Sequence, residues 1–273
     1  MSVPTIKLND GSEVPVIAIG TGTALFGRDC ANAIQLAIEC GVTHLDGAQA
    51  YGNEASLGAG IKAAGKPRSD LYVVTKLKPG TKAADVKSSL VDSLNKLGLD
   101  FVDLFLIHTP SRDGTVQEIW QAMEAVHAEG LAKSIGVSNF TVDDLKAILP
   151  RAKVIPSVNQ LEIHPYVWKA VEPIVKYGRE NGGITCSSFG GLSPLIRAPR
   201  RTRRPVTPAQ VLFKWILQKG AFVVTTSSKE ARIKEYLEVS HVPDLTAEEI
   251  QAIDNAGAKQ HKRFFGKQIF GDS

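Results

Sequence analysis

Four side chains that can take part in proton transfer follow apolar, β-rich runs in the first half of the chain. Asp46 ends the run VTHLD and Tyr51 comes just beyond it, Lys76 ends LYVVTK, and His108 ends FVDLFLIH. A buried ammonium group lowers the pKa of a neighbouring phenol, and a carboxylate beside the ammonium keeps it charged. An imidazole within hydrogen-bond distance would polarise a carbonyl oxygen while the phenol protonates it. These residue types therefore indicate acid catalysis at a carbonyl group.

The spacing of these residues predicts that they meet at one site. Asp46, Lys76 and His108 are each separated by about thirty residues, the length of one strand and helix unit. Each residue also has a purely structural interpretation: Asp46 could shape a turn, Tyr51 could pack in a core, Lys76 could lie on the surface, and His108 could stabilise a turn. Because all four stand at matching strand ends, a shared site is favoured over four independent structural roles.

The elements that would position these residues alternate along the whole chain. Asp10-Gly11 separates the short runs TIKLN and SEVP, which predicts an N-terminal β-hairpin. Eight further β-rich runs start at Val14, Val42, Leu71, Phe101, Ala132, Val154, Ile184 and Ala221. Segments with helical spacing lie between them, and most end at a glycine. We therefore expect one domain over residues 1–273, an α/β fold of the (β/α)8 TIM barrel type with an N-terminal hairpin and an extra C-terminal helix, TAEEIQAIDNAG.

The competing architecture is an open, doubly wound sheet. Such a sheet normally carries GxGxxG after its first strand to hold a pyrophosphate, whereas this chain has GTGTALFG. The glycine spacing does not match, which favours the closed barrel. The last residues, AKQHKRFFGKQIFGDS, show no clear period, and we expect them to cover the surface or the rim of a pocket.

Composition argues against several protein classes. No run of about 18 apolar residues and no secretory signal is present, so we expect a cytoplasmic protein without membrane association. The three cysteines lack CxxC spacing, so neither a disulfide framework nor a metal site is expected. The net charge of +4 is too small to indicate nucleic acid by itself. One basic cluster stands among prolines and is interpreted as a solvated loop: Arg197, Arg200, Arg201, Arg203 and Arg204.

Five motifs, in order, resemble those of the aldo-keto reductase family: HLDGAQAYGNE, VVTKL, LFLIH, IGVSNF and NQLEIHPY. The resemblance runs from the hairpin to the last helix. It implies reduction of a small-molecule carbonyl with NADPH, or with NADH as the alternative. The sequence itself gives no sign of a nucleic-acid, membrane or obligatory protein partner. The resemblance also implies a catalytic tetrad of Asp46, Tyr51, Lys76 and His108, in which Tyr51 is the general acid and His108 orients the carbonyl.

The resemblance further implies a set of cofactor and substrate contacts. Ser138, Asn139 and Gln160 would hold the nicotinamide carboxamide, and Asp46 would lie near the ribose. The remaining implied cofactor contacts are Gly22, Thr23, Phe189, Thr226, Ser227 and Arg232. The implied substrate contacts are Ala24, Tyr51, His108 and Thr109, and the aromatic candidates for the pocket are Phe26, Trp168, Phe264 and Phe265.

Several positions depart from the family pattern on the cofactor side. Phe189 replaces a tyrosine that stacks on the nicotinamide, Thr226-Ser227 replaces a lysine-serine pair, and Tyr236 replaces an asparagine. Arg232 remains at the position that favours NADPH, because a cation binds the additional phosphate. Lys229 or the arginine cluster is a candidate to compensate for the missing lysine.

On the substrate side, Ala24 and Thr109 replace tryptophans, which predicts a wider and less aromatic pocket. The chain looks like the fungal branch that reduces conjugated polyketones, ketopantoyl lactone and α-keto amides. The expected substrates are therefore aldehydes or activated ketones, namely α-dicarbonyls, keto lactones and α-keto esters or amides.

Two alternative functions are less well supported by the sequence. A regulatory barrel that senses the nicotinamide cofactor and turns over slowly would not need the intact tetrad, and nucleic-acid binding through the arginine cluster lacks interleaved aromatic residues.

Overall fold

Eight parallel strands form a closed barrel, which confirms the predicted fold. The computed structural model describes residues 4–196 and 206–271, so the arginine cluster lies outside the described residues. Each β-rich run contains one barrel strand: β3 Ile17–Gly20, β4 His44–Asp46, β5 Tyr72–Leu77, β6 Val102–Ile107, β7 Ala132–Ser138, β8 Val158–Glu162, β9 Thr185–Phe189 and β10 Ala221–Thr225. The barrel closes where Val223 of β10 lies opposite Ile17 of β3. These strands are buried along most of their length, because helices cover the outside of a parallel sheet.

Helices follow the strands as the apolar periodicity predicts. They are α1 Ala31–Glu39, α2 Glu54–Ala64, α3 Val86–Leu97, α4 Val116–Ala128, α5 Val142–Ile148, α6 Trp168–Gly182, α7 Ser193–Ile196, α8 Pro208–Gln218, α9 Glu230–Leu237, α10 Ala247–Ala258 and α11 Lys267–Phe270. Gly98 ends α3 in the left-handed conformation, where a glycine avoids the steric cost of a side chain. In the part of the chain that the structure describes, no helix is long and apolar enough to cross a membrane.

The predicted hairpin, β1 Thr5–Lys7 and β2 Glu13–Pro15, lies across the amino ends of the barrel strands. The Asp10 carboxylate in its turn accepts hydrogen bonds from Ser12 Oγ at 2.6 Å, Ser134 Oγ at 2.6 Å and Ser157 Oγ at 2.8 Å. Since Ser134 belongs to β7 and Ser157 directly precedes β8, the turn is fixed to the end of the barrel opposite to the polar strand ends.

The predicted extra helix is α10, and it is followed by the C-terminal segment, residues 261–271. Gly257 of α10 lies directly against Pro165, because a Cβ atom at this glycine would be only 2.2 Å from the Pro165 carbonyl oxygen. This close approach turns the chain back over the carboxyl ends of the strands. The C-terminal segment then reaches the rim of the cavity there, as expected from the sequence.

Candidate active site

The polar strand ends meet in one cavity of about 1150 Å³ at the carboxyl end of the barrel. Pockets that hold a single drug-sized ligand have volumes of roughly 300–1,000 Å³, so this cavity has room for a larger ligand or for two ligands side by side. Asp46, Tyr51 and His108 line it, and Lys76 lies buried behind them.

The four predicted catalytic side chains lie together. Asp46, the last residue of β4, forms an ion pair with Lys76 of β5, and Lys76 Nζ also donates to the Gly47 carbonyl oxygen at 2.8 Å. Lys76 Nζ lies 5.1 Å from the centre of the Tyr51 ring. The His108 ring stands edge-on to the Tyr51 ring, with 5.5 Å between their centres. The structure thus brings a carboxylate, an ammonium group, a phenol and an imidazole to the floor of one cavity.

Burial and charge set the protonation of this group. Burial alone would lower the pKa of Lys76. The favourable interactions of its ammonium group with Asp46 and Tyr51 are stronger than this effect, so the pKa of Lys76 lies above its usual value and the group stays charged. Burial also raises the pKa of Tyr51, and the nearby Lys76 offsets only part of that effect. The sequence-based expectation of a lowered tyrosine pKa is therefore wrong in net direction. Burial, followed by the charge of Lys76, lowers the pKa of His108 to about 4, which leaves a neutral imidazole at pH 7.

The turn that carries Tyr51 is fixed by contacts that the sequence did not reveal. Gly27 N donates to the Tyr51 carbonyl oxygen at 2.8 Å, and the Asn53 amide donates to the carbonyl oxygens of Thr21 and Leu25 at 3.0 and 2.8 Å. These bonds join the loop after β3 to the turn that carries Tyr51. Gly22 in that loop lies against the phenol, because a Cβ atom there would be 3.0 Å from Tyr51 Cζ.

Ser138, Asn139 and Gln160 line the cavity, and they are already connected to the catalytic group. Gln160 Nε2 donates to Asp46 Oδ2 at 3.0 Å from the opposite side of the barrel. Asn139 has a left-handed backbone (φ 61°), and its amide donates to the His108 carbonyl oxygen at 3.0 Å. Gln160 and Asn139 thus hydrogen-bond to two of the predicted catalytic residues in addition to facing the cavity.

The implied cofactor contacts beyond these three divide into two groups. Most of them line the cavity, namely Gly22, Thr23, Phe189, Thr226 and Arg232. Ser227 does not: it is buried, and its hydroxyl accepts a hydrogen bond from Lys229 N at 3.1 Å. Tyr236 also lines the cavity, and its ring packs edge-on against Phe213 at 5.1 Å.

Ala24 and Thr109 line the cavity, and three of the four aromatic candidates join them there: Phe26, Phe264 and Phe265. Phe26 is 56% exposed at the rim, with its ring centre 5.9 Å from that of Tyr51. Trp168 is instead a core residue, because its ring packs against Trp215 at 5.5 Å away from the cavity.

The described part of the chain contains no group of three or more His, Cys, Asp or Glu side chains arranged to hold a metal ion. Comparison with known families then places the molecule, since the model of the aldo/keto reductase family matches residues 18–195 and 200–258. The chain belongs to the aldo/keto reductase family.

Individual relatives of this aldo/keto reductase align over nearly the whole chain. The NAD/NADP-dependent indole-3-acetaldehyde reductase of Schizosaccharomyces pombe is 35% identical, and the alignment covers 95% of this chain and 97% of the relative. The NADPH-dependent alpha-keto amide reductase of Saccharomyces cerevisiae is 32% identical, with 97% and 94% covered. The crystal structure of a Bombyx mori aldo-keto reductase in complex with NADP is similar at a TM-score of 0.87, with 29% identity and coverage of 98% and 97%.

Proposed function

We propose that this aldo/keto reductase reduces aldehydes or activated ketones to alcohols with NADPH and that Tyr51 supplies the proton. The observation that carries the proposal is the arrangement of Asp46, Tyr51, Lys76 and His108 on the floor of one large cavity. A carboxylate, an ammonium group, a protonated phenol and a neutral imidazole together form an acid that can serve a carbonyl oxygen near pH 7.

Two of the four residues act on that oxygen directly, and the other two support them. Neutral His108 donates a hydrogen bond to the carbonyl oxygen and orients it. Tyr51, which burial keeps protonated, transfers its hydroxyl proton to the same oxygen. The ammonium of Lys76 then stabilises the phenolate that remains, and Asp46 holds Lys76 charged and in place. A proton from solvent restores the phenol.

A bound nicotinamide cofactor would supply the hydride, and the cavity fits such a group. Ser138, Asn139 and Gln160 offer amide and hydroxyl groups near the catalytic residues, and Phe189 offers a ring face for stacking. Among the described residues that line the cavity, Arg232 is the only arginine or lysine. A guanidinium group favours the additional phosphate of NADPH, because charge-assisted bonds to phosphate are strong. NADH is the alternative cofactor, since the S. pombe relative is named for both.

The substrate proposal rests on the shape of the cavity next to Tyr51. Ala24 and Thr109 are small, so a carbonyl with bulky or planar substituents can approach the phenol. The yeast relative is named for alpha-keto amides. We therefore assign α-dicarbonyls, keto lactones and α-keto esters or amides as preferred substrates over simple sugars.

The test uses the purified chain without any other protein. It measures the loss of NADPH or NADH absorbance, in parallel assays, with each of these classes of carbonyl. We expect turnover with NADPH and a Tyr51→Phe variant slower by about 10²–10⁴-fold, because general acid catalysis contributes that much. Cofactor affinity should stay nearly unchanged, since only the transferred proton is lost. A Tyr51→Phe variant with normal turnover would show that another group donates the proton. Cofactor binding with no turnover of any carbonyl would instead favour the cofactor-sensing alternative.

A further inference from the structure

A buried carboxylate outside the catalytic group connects the barrel to the wall of the cavity. Glu162, the last residue of β8, is fully buried. Its Oε1 atom lies 2.9 Å from His164 Nε2 and accepts a hydrogen bond from Phe264 N at 2.9 Å. Its Oε2 atom accepts hydrogen bonds from Phe265 N at 3.2 Å and Arg263 Nη1 at 3.4 Å. Both oxygens therefore serve two donors each, and three of the four donors belong to the C-terminal segment.

The C-terminal segment forms one wall of the cavity. Five of its residues line the cavity: Phe264, Phe265, Gly266, Gln268 and Ile269. The Phe265 ring stands edge-on to Phe189, with 5.7 Å between the ring centres. The Arg263 guanidinium lies over the Phe270 ring at 4.2 Å, so the segment also packs on itself. The shape of this wall therefore depends on where residues 263–265 lie.

Glu162 and the C-terminal segment stabilise each other. A carboxylate buried without donors costs several kcal/mol, and a backbone N–H buried without an acceptor also costs free energy. Glu162 is therefore stable in its position only while the C-terminal segment supplies its donors. The segment, in turn, has no regular strand pairing and depends on this acceptor for the N–H groups of Phe264 and Phe265.

We propose that Glu162 is a positioning residue for substrate binding: its carboxylate holds residues 263–265 so that the C-terminal segment forms the wall against which the carbonyl substrate packs. The inference rests on the proposed function for the identity of the ligand. It assigns Glu162 no contact with the reacting atoms, so loss of its carboxylate should weaken substrate binding more than it slows the chemical step.

The decisive variant is Glu162→Gln. A carboxylate has two acceptor oxygens, whereas an amide has one oxygen and one NH2 group. In Glu162→Gln the NH2 group must therefore face one of the two pairs of donors that hydrogen-bond to the carboxylate. The matched control is Glu124→Ala on α4. The Glu124 Oε1 atom accepts hydrogen bonds from Lys153 N at 2.6 Å and Val154 N at 2.9 Å, again two successive backbone N–H groups, and Glu124 does not line the cavity. The control therefore removes a comparable buried acceptor at a distance from the active site.

We expect Glu162→Gln to raise the KM for a bulky α-keto ester or diketone by roughly tenfold or more, the effect of losing a hydrogen bond to a charged group. The change in kcat should be smaller than the change in KM, and so should the change in the Kd of NADPH. Trypsin should cleave the folded variant after Lys262 and Lys267 faster than the wild-type protein. Glu124→Ala should lower stability while leaving KM and the cleavage rate at these two lysines near wild type.

Two outcomes would overturn the inference. One is a KM that rises no more in Glu162→Gln than in Glu124→Ala, and the other is an unchanged cleavage rate in the C-terminal segment. If Glu162→Gln fails to fold, hydrogen exchange of the wild-type protein decides: the amides of Phe264 and Phe265 should be protected like those of the barrel strands, and free exchange at both would refute the role. Trypsin cleavage and hydrogen exchange need no substrate, so they separate a failure of this inference from a failure of the proposed function.

Discussion

Adding one methyl group to the loop after β3 should displace Tyr51, the proposed proton donor. At Gly22 a Cβ atom would lie 3.0 Å from Tyr51 Cζ, 3.2 Å from Cε2 and 3.3 Å from the hydroxyl oxygen. The backbone of Gly22 (φ −75°) is open to any L-residue, so the Gly22→Ala variant adds bulk without backbone strain. Its effect should therefore come from the contact with Tyr51.

The displacement is large enough to matter for proton transfer. Carbon atoms in contact prefer separations of about 3.5–4.0 Å, so the phenol must move by a few tenths of an ångström to relieve the contact. A misplacement of about 1 Å at a reacting group costs about 10²-fold in rate. Since the displacement is less than half of that distance, we expect Gly22→Ala to lower kcat by about tenfold. The free energy of unfolding should fall by about 1–3 kcal/mol, the usual cost of overpacking.

The assay compares Gly22→Ala in the wild-type and Tyr51→Phe backgrounds by steady-state turnover with NADPH. Without the phenol hydroxyl there is no proton donor to misplace, so the same substitution should cost less than about threefold in the Tyr51→Phe background. An equal loss in both backgrounds, or a Gly22→Ala variant with a wild-type rate, would refute the reasoning. The Kd of NADPH is measured in parallel, because a loss of affinity that matched the loss of rate would place the damage on the cofactor and not on Tyr51.

Two further predictions concern the barrel away from the cavity. Burial lowers the pKa of His44 from 6.5 to about 4, so the unfolded chain takes up this proton first as pH falls. This histidine alone should lower the free energy of unfolding by about 3 kcal/mol between pH 6.5 and 4, and urea titrations of His44→Gln should lack that part of the slope. Asp10→Ala removes the acceptor for Ser134 and Ser157, so it should lower the free energy of unfolding by about 2–3 kcal/mol with kcat/KM unchanged, and a loss of activity in the still-folded variant would contradict this account.

The sequence predicted the barrel well because each strand carries its own signal. The run AKSIGVS carries the β-branched residues Ile135 and Val137 and is followed by a helical period, and it is β7 at Ala132–Ser138 to the residue. Strand bounds were less accurate where a run contained a proline: the run from Val154 includes Pro156, and β8 begins only at Val158. Proline lacks the N–H group that the ladder requires, which explains the late start.

The position of the proposed catalytic side chains was also predictable, since consecutive parallel strands have their carboxyl ends on the same side of the barrel. Their net electrostatics were not. Sequence spacing reveals that Lys76 lies near Tyr51, but the sign of the tyrosine pKa shift depends on how much water the cavity walls exclude, and those walls come from distant parts of the chain.

The role of Glu162 shows the same limit more sharply. Within NQLEIHPY the residue is simply one more polar position at the end of a strand, and no local pattern connects it to Arg263, a hundred positions later. A buried acceptor reveals its purpose only through its donors, and here two of the four donors are backbone N–H groups, which carry no sequence signature at all. Contacts of this kind, between a charged side chain and a distant backbone, decide where an irregular segment lies. The sequence therefore predicted that the C-terminal segment reaches the rim with Phe264 and Phe265, but it did not predict the contacts that hold the segment there.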